Sequence, residues 1–384
     1  MLSASPVNSP DHRPCVLIAA LSGRALAELA CKAGYRPLVA DLFGDMDTRR
    51  HAEAVRVLRG NLMDGPDPGD LIAALSDLAQ SAEEPPIGLV CGAGFEQRPE
   101  ILDDLASRWP LLGCSADVVK RAKNPASLAR LCAELDIPHP ALRFDAPAEP
   151  EGWVAKSIGG SGGWHICDAR SAAESPGLYF QKRAPGEPIC ALVVGTGKEA
   201  AVLGWSSQWT APTPGVPYRW AGAVQPAAME PALQAILARK AVELTVAAAI
   251  VGIASLDFLI EGSTWHLLEI NPRPGGTLDI FDDGTGRLFE MQVEACRGRL
   301  IEPPHHHAAQ ACVIAFAASD IETMPDLRWP AWCADLQSAG TRVEAGAPVC
   351  TIRAAADDAP TARRLVEERR RALLQRVHEP ELAA

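Results

Sequence analysis

Two short stretches of this sequence hold residue types whose spacing suits chemistry. The first is "KSIGGSGG", residues 156–163. Gly159, Gly160, Gly162 and Gly163, with Ser161 among them, give a backbone that can approach a phosphate closely and turn its N–H groups inward as an anion nest. Lys156 can bring a point charge to the same phosphates. The competing interpretation is a flexible hairpin loop that holds nothing. The second stretch is "HLLEINPRP", residues 266–274. Side chains alternate along a strand, so Glu269, Asn271 and Arg273 share a side. Asp257 lies in the preceding apolar run "SLDFLI". Hard oxygen ligands on neighbouring strands suit Mg²⁺ (or Mn²⁺), with waters and substrate phosphates completing the shell. Unpaired carboxylates in buried strands are costly, and metal coordination would relieve that cost. The planar fork of Arg273 suits a transferred phosphoryl group or a substrate carboxylate.

These residues need elements to position them. Residues 14–43 read as strand, helix and strand, a right-handed βαβ unit. A helix at 71–80, a strand at 87–95, a further helix and the short "LLGCS" extend it to an open, doubly wound α/β domain ending near residue 115. Its first turn, "ALSGRALA", lacks G-x-G-x-x-G and reads as a scaffold turn; Asp41 reads as a surface carboxylate capping a strand. Residues 116–140 read as two helices broken at Asn124-Pro125. The glycine loop lies between strands, as does the turn after "LYFQKR". A helix at about 231–249 precedes a hairpin whose turn is "EGST". Strands and turns over 305–352 and a closing charged helix complete the chain.

The bulk numbers exclude some classes. At 384 residues two or three domains are expected, and 48% hydrophobic with 22% charged residues is ordinary globular composition. A net charge of −12 argues against nucleic acid or an anionic membrane as partner. Eleven cysteines without a CxxC pair, an odd count and no secretory signal point to a reduced, cytoplasmic interior. No apolar run reaches the roughly 18 residues of a membrane span.

With these residues in view, the chain resembles the ATP-grasp superfamily of carboxylate–amine ligases. Four blocks carry the resemblance: "RAKNPASLARLCAELDIPHP", "WVAKSIGGSGGWHI", "YFQKRAPGEPI" and "LDFLIEGSTWHLLEINPRP", over about residues 120–275. The resemblance implies an α/β chain in three parts. A Rossmann-like pre-ATP-grasp domain would span 1–115, an ATP-grasp domain 116–302, and a small C-terminal β-rich segment with a terminal helix 303–384. It implies ATP and Mg²⁺ as cofactors, small-molecule carboxylate and amine substrates, and room for a homo-oligomer such as a dimer. Lys156 would contact the nucleotide phosphates beneath the loop 159–163, and Lys123 would lie nearby. Gln181, Lys182, Arg183 and Ala184 would form the hinge that reads adenine, with Glu187 on the ribose. Asp257, Glu269 and Asn271 would hold the metal, and Arg273 would act at the acyl-phosphate step. Lys182 stands where the family usually has glutamate, and Glu187 follows its glycine one residue early.

"GVPYRWAGAVQP" resembles the segment that some of these ligases place beside the acceptor, so Arg219 reads either as a grip on a carboxylate or phosphate or, nearly as well, as a solvated loop arginine. His305, His306 and His307 read as an exposed linker. The expected activity is amide formation through an acyl phosphate, within which glutamate or another amino acid in cofactor biosynthesis, as in tyramine–glutamate ligase-type enzymes, is one substrate assignment. A bicarbonate-using carboxylase and a non-catalytic nucleotide-binding scaffold are the alternatives.

Overall fold

The computed structural model of the chain describes residues 13–172 and 177–378. The first part alternates β1 (Cys15–Ala19), α1 (Arg24–Lys32), β2 (Arg36–Asp41), α2 (Met46–His51) and β3 (Ala54–Val57). A short ribbon of β4 (Gly60–Asn61) and β5 (Gly65–Pro66) follows, then α3 (Pro68–Ser81), β6 (Leu89–Cys91) and α4 (Ile101–Ala106). The sheet order is β3-β2-β1-β6, all parallel. Both faces of β1 are apolar because both are covered. Cys15, Leu17 and Ala19 pack with Leu71, Leu75 and Leu78 of α3, whereas Val16 and Ile18 pack with Leu26 and Leu29 of α1. This is the doubly wound arrangement expected from the sequence.

Next come α5 (Ala116–Lys123) and α6 (Pro125–Glu134). They break where "NP" predicts: Asn124 accepts a hydrogen bond from the Ser127 amide, and Pro125 fills the first helical position. A small antiparallel sheet in the order β7-β10-β8-β9 is built from β7 (Leu142–Arg143), β8 (Trp153–Ser157), β9 (Ile166–Asp168) and β10 (Leu178–Lys182). The glycine loop joins β8 to β9.

The remainder forms one long sheet. Its strands are β11 (Glu187–Thr196), β12 (Ala200–Thr210), β13 (Trp220–Gln225), β14 (Val251–Glu261), β15 (Thr264–Asn271), β16 (Ala309–Phe316), β17 (Cys333–Ala334) and β18 (Pro348–Ala356). The order β15-β14-β11-β12-β13-β16-β18-β17 makes the last three strands a continuation of the sheet that carries Glu269 and Asn271. The helices α7 (Pro231–Ala247), α8 (Leu278–Phe281), α9 (Arg287–Cys296) and α10 (Ala359–His378) pack around it. α10 buries Ala362, Val366 and Leu373 in the C-terminal core and pairs Arg364 with Glu368 outside, so only its outer face is the salt-bridged surface the sequence suggested.

Two expectations need correction. Asp41 is fully buried and accepts hydrogen bonds from the amides of Gly23 and Gly44, at 2.8 Å each. It ties the β1–α1 turn to the end of β2 and is no surface cap. In the histidine run, His305 and His307 are exposed but His306 is half-buried beside Phe281, its ring centroid 6.1 Å away.

Candidate functional site

The hairpin of β14 and β15 sets the site. Its two-residue turn, Gly262-Ser263, pairs Glu261 with Thr264 and brings Asp257 directly opposite Glu269, with Ser255 opposite Asn271. A register shift between Asp257 and Phe258 leaves Leu268 as the extra residue of β15. Such a bulge bends the strand and re-aims its side chains.

Asn271 donates from its amide nitrogen to Asp257 Oδ2 at 2.9 Å and to Glu269 Oε1 at 3.1 Å. The Lys123 ammonium lies 3.0 Å from Asn271 Oδ1 and 3.4 Å from Glu269 Oε2. Gln208 holds the other oxygen of Asp257 at 2.9 Å, and the Trp220 indole N–H donates to Gln208. Burial and the charge of Glu269 raise the Asp257 carboxyl to about 6. Burial works to raise Glu269 too, but Lys123, His165 and Lys156 prevail and hold it well below the usual carboxylate range.

Two carboxylates therefore meet at the Asn271 amide, whose nitrogen points at both and whose oxygen points at Lys123. That donor set fits a hard divalent cation that keeps waters and phosphate oxygens for its other positions. Among the described residues there is no group of three or more His, Cys, Asp or Glu side chains able to hold a metal, so no all-protein cage stands elsewhere among them.

Lys156, from β8, is 5% exposed and makes no hydrogen bond or ion pair among the described residues. Desolvation lowers its pKa; Glu269 and Asp257 pull the other way. The loop above it is tightly seated. Gly163 has φ +75°, and a Cβ there would overlap the Tyr218 carbonyl oxygen. At Gly160 a Cβ would collide with the His165 ring. Only glycine lets the loop lie so close.

The segment 181–184, expected as the hinge, lies at the end of β10 and just beyond it. Gln181 is buried, its amide 3.4 Å from His139 Nε2. Lys182 extends over the Trp153 ring. The Arg183 amide donates to the Gly152 carbonyl, while the Ala184 amide takes no partner among the described residues. Glu187 is exposed at the start of β11. A small hollow lined by His139, Tyr179, Gln181, His165 and Leu268 adjoins Lys123 and Glu269.

Two assigned arginines are engaged differently from one another. Arg273 donates from Nε to Glu96 at 2.7 Å, and its Nη2 lies 3.5 Å from Asn271 Oδ1. Arg219 is buried: it donates to the carbonyls of Ala211 and Gly346 and stacks on Phe316, 3.8 Å from the ring centroid. It braces the wall behind the site.

Glu96, His165 and Gln208 were not anticipated. Glu96 follows β6 at the carboxyl end of the parallel sheet, where open α/β sheets place ligand-binding groups, so a topological signal existed. It also accepts the amides of Gly94 and Phe95. Burial pushes its pKa up, yet Arg273 and Lys123 win and keep it below the ordinary value. That stabilisation is present above the ordinary glutamate pKa and is lost as pH falls through the depressed one. Glu96→Gln should lower unfolding free energy by about 1–3 kcal/mol at neutral pH, because Arg273 loses the anion of its ion pair and keeps only a neutral acceptor. Urea denaturation checks this, and an unchanged midpoint would remove Glu96 from the account.

Residues 126–277 match the family model described as ATP-grasp domain. This stretch is an ATP-grasp domain. Solved structures give a similar fold for nearly the whole chain. Biotin carboxylase from Campylobacter jejuni is 14% identical, with a TM-score of 0.67 over 92% of this chain and 89% of that one. N5-carboxyaminoimidazole ribonucleotide synthetase from Thermus thermophilus is 18% identical, with a TM-score of 0.66 over 94% and 98%. The Hydrogenobacter thermophilus 2-oxoglutarate carboxylase biotin carboxylase domain dimer, solved with MgADP, ADP and bicarbonate, is 13% identical, with a TM-score of 0.67 over 89% and 86%. At these identities the likeness concerns the fold. No curated protein sequence matches the chain. The domain match and these neighbours agree with the expectation of an ATP-dependent ligase. No helix among the described residues is long and apolar enough to cross a membrane.

Proposed function

We propose that this protein is an ADP-forming carboxylate–amine ligase. The observation that carries this reading is the largely buried Lys156 side chain, which makes no hydrogen bond among the described residues and feels the charges of Glu269 and Asp257 beneath the glycine loop. An ammonium largely removed from water is costly, and an anionic ligand would offset that cost. The triphosphate of ATP is such a ligand.

In this reading the substrate carboxylate oxygen attacks the γ-phosphorus, the bond to ADP breaks, and an acyl phosphate forms. The amine then attacks the acyl carbon and inorganic phosphate leaves. Asp257, Glu269 and Asn271 would hold Mg²⁺, which when bound neutralises phosphate charge and orients it. Lys156 and the N–H groups of 159–163 cradle the phosphates, and Lys123 balances the acids around them. Arg273 presents its unengaged nitrogen to the carboxylate or the developing phosphoryl charge. The Ala184 amide and Arg183 carbonyl read the adenine edge, and Glu187 lies on the ribose side. The closely seated loop excludes water from the acyl phosphate. The domain limits 1–115, 116–302 and 303–384 serve this reading as a base-side scaffold, a nucleotide module and an acceptor wall.

Purified protein with ATP, Mg²⁺ and a panel of carboxylic acids and amines should release ADP only when both co-substrates are present. Absence of ADP across the panel would overturn the reading. The names of the neighbouring structures favour a second possibility, bicarbonate as the acid. ADP release with bicarbonate and no added carboxylic acid would select it.

A further inference from the structure

A cavity of about 290 Å³ lies between the carboxyl end of the parallel sheet, the glycine loop and the strands β16 and β18. That is roughly ten waters' share of liquid volume. Its walls are apolar and aromatic, with Phe43, Trp164, Trp220 and Phe316 among them. Arg219 stiffens one side by stacking on Phe316.

The two chemically active regions of this cavity have opposite character. Arg273 lines one, and its Nη1 has no partner among the described residues, so N–H donors face the void. The other contains Arg24, Asp45, Asp279 and Asp335. Arg24 has nothing to offer an anion there. Its five N–H donors are all spent: Nε on Asp335, Nη1 on Glu28 and Asp279, Nη2 on Asp279 and Asp335. Asp45 is 4% exposed and accepts one hydrogen bond, from Gln337 Nε2 at 3.1 Å. The groups facing it are Asp335 after β17, Asp41 at the end of β2, Asp47 on α2 and the committed Arg24 on α1. Burial and the three neighbouring carboxylates push its pKa up to about 8. These neighbours favour the protonated form of Asp45, and a cation beside it would favour the carboxylate.

We propose that this cavity binds a zwitterion with a carboxylate at Arg273, a protonated amine at Asp45 and an apolar body between them. The assignment rests on the ligase reading in one respect: the carboxylate delivered to Arg273 is the group that ATP activates. An acid as small as bicarbonate would leave the aromatic walls and Asp45 without a partner. A simple fatty acid would leave Asp45 unmatched, and a simple amine would leave Arg273 unmatched.

The test is direct binding to the full chain without ATP, by titration calorimetry at pH 7. The probes are 6-aminohexanoate and 4-(aminomethyl)benzoate, with hexanoate and 4-methylbenzoate as amine-free partners. The zwitterions should bind at least tenfold more tightly than their partners, and their binding enthalpy should vary with buffer ionisation heat as Asp45 gives up its proton. Asp45→Asn should erase the tenfold preference while leaving the amine-free acids unaffected. Equal binding of the amine-free acids, no binding by either zwitterion, or a preference that survives in Asp45→Asn would each overturn the proposal. The wild-type comparison stands even should the variant fail to fold. Zwitterion binding without ADP release on adding ATP, Mg²⁺ and amines would sink the ligase reading alone. ADP release supported only by amine-free acids would sink this inference alone.

Discussion

Lys156→Met is expected to make the protein more stable and to disable it at the same time. The wild-type Lys156 side chain is 5% exposed and makes no hydrogen bond among the described residues, so the fold bears a desolvation cost that the charges of Glu269 and Asp257 offset only in part. Methionine fills a similar volume with no charge, and the gain in unfolding free energy should be about 1–3 kcal/mol. Because burial depresses the Lys156 pKa, the unfolded state binds more protons between the depressed value and the ordinary lysine value. The penalty is therefore complete below the depressed pKa and fades as pH climbs through that window. The variant should lose this slope. Nucleotide affinity should fall by roughly 10- to 100-fold, the worth of one hydrogen bond to a charged group in a dry site. Thermal unfolding with and without ATP reads both effects. A variant that is less stable without nucleotide, or that binds ATP like the wild type, would remove Lys156 from the phosphate site.

The second large effect belongs to Glu269→Gln. The substitution keeps the shape and removes the anion that Lys123 approaches at 3.4 Å and that balances Lys156 and His165. ADP release should drop by roughly 10²- to 10³-fold, as when one preorganised electrostatic group is lost from a catalytic site. The Mg²⁺ concentration for half-maximal activity should rise by about tenfold or more. Initial rates across a Mg²⁺ series separate the two. A scaffold without chemistry would keep its nucleotide binding and show no turnover to lose, and a normal rate in the variant would exclude Glu269 as a ligand.

Much of this site was legible because its logic is local. Alternation along one strand suffices to put Glu269, Asn271 and Arg273 on one side, and "EGST" suffices to fold Asp257 back against them. Asn124-Pro125 likewise punctuates two helices through capping chemistry that operates within four residues. What escaped the sequence was assembled at long range. Glu96 meets Arg273 across 177 positions, and Gln208 reaches Asp257 across 49. Nothing periodic joins such residues; only the topology brings them together. The Leu268 bulge escaped for another reason, since an extra residue in a buried apolar run leaves the hydrophobic pattern unbroken. Arg219 likewise owes its surroundings to long-range packing: its Nε and Nη1 donate to backbone carbonyls and its face stacks on Phe316, none of which the sequence pattern displays.

The continuity of the long sheet bears on how this molecule can be cut. β16 pairs with β13 from Gly222 to Gln225, and α10 covers the strands beyond. The C-terminal segment is thus no detachable cap. Severing the chain after residue 302 would strip β13 of its neighbour and leave an open hydrogen-bonding edge, the kind that recruits other chains. The same cut would remove Phe316 from the cavity and Gly346 from Arg219. Residues 116–302 cannot be excised from this architecture by trimming its end; the C-terminal strands and the hairpin that carries Asp257 and Glu269 stand or fall as one sheet.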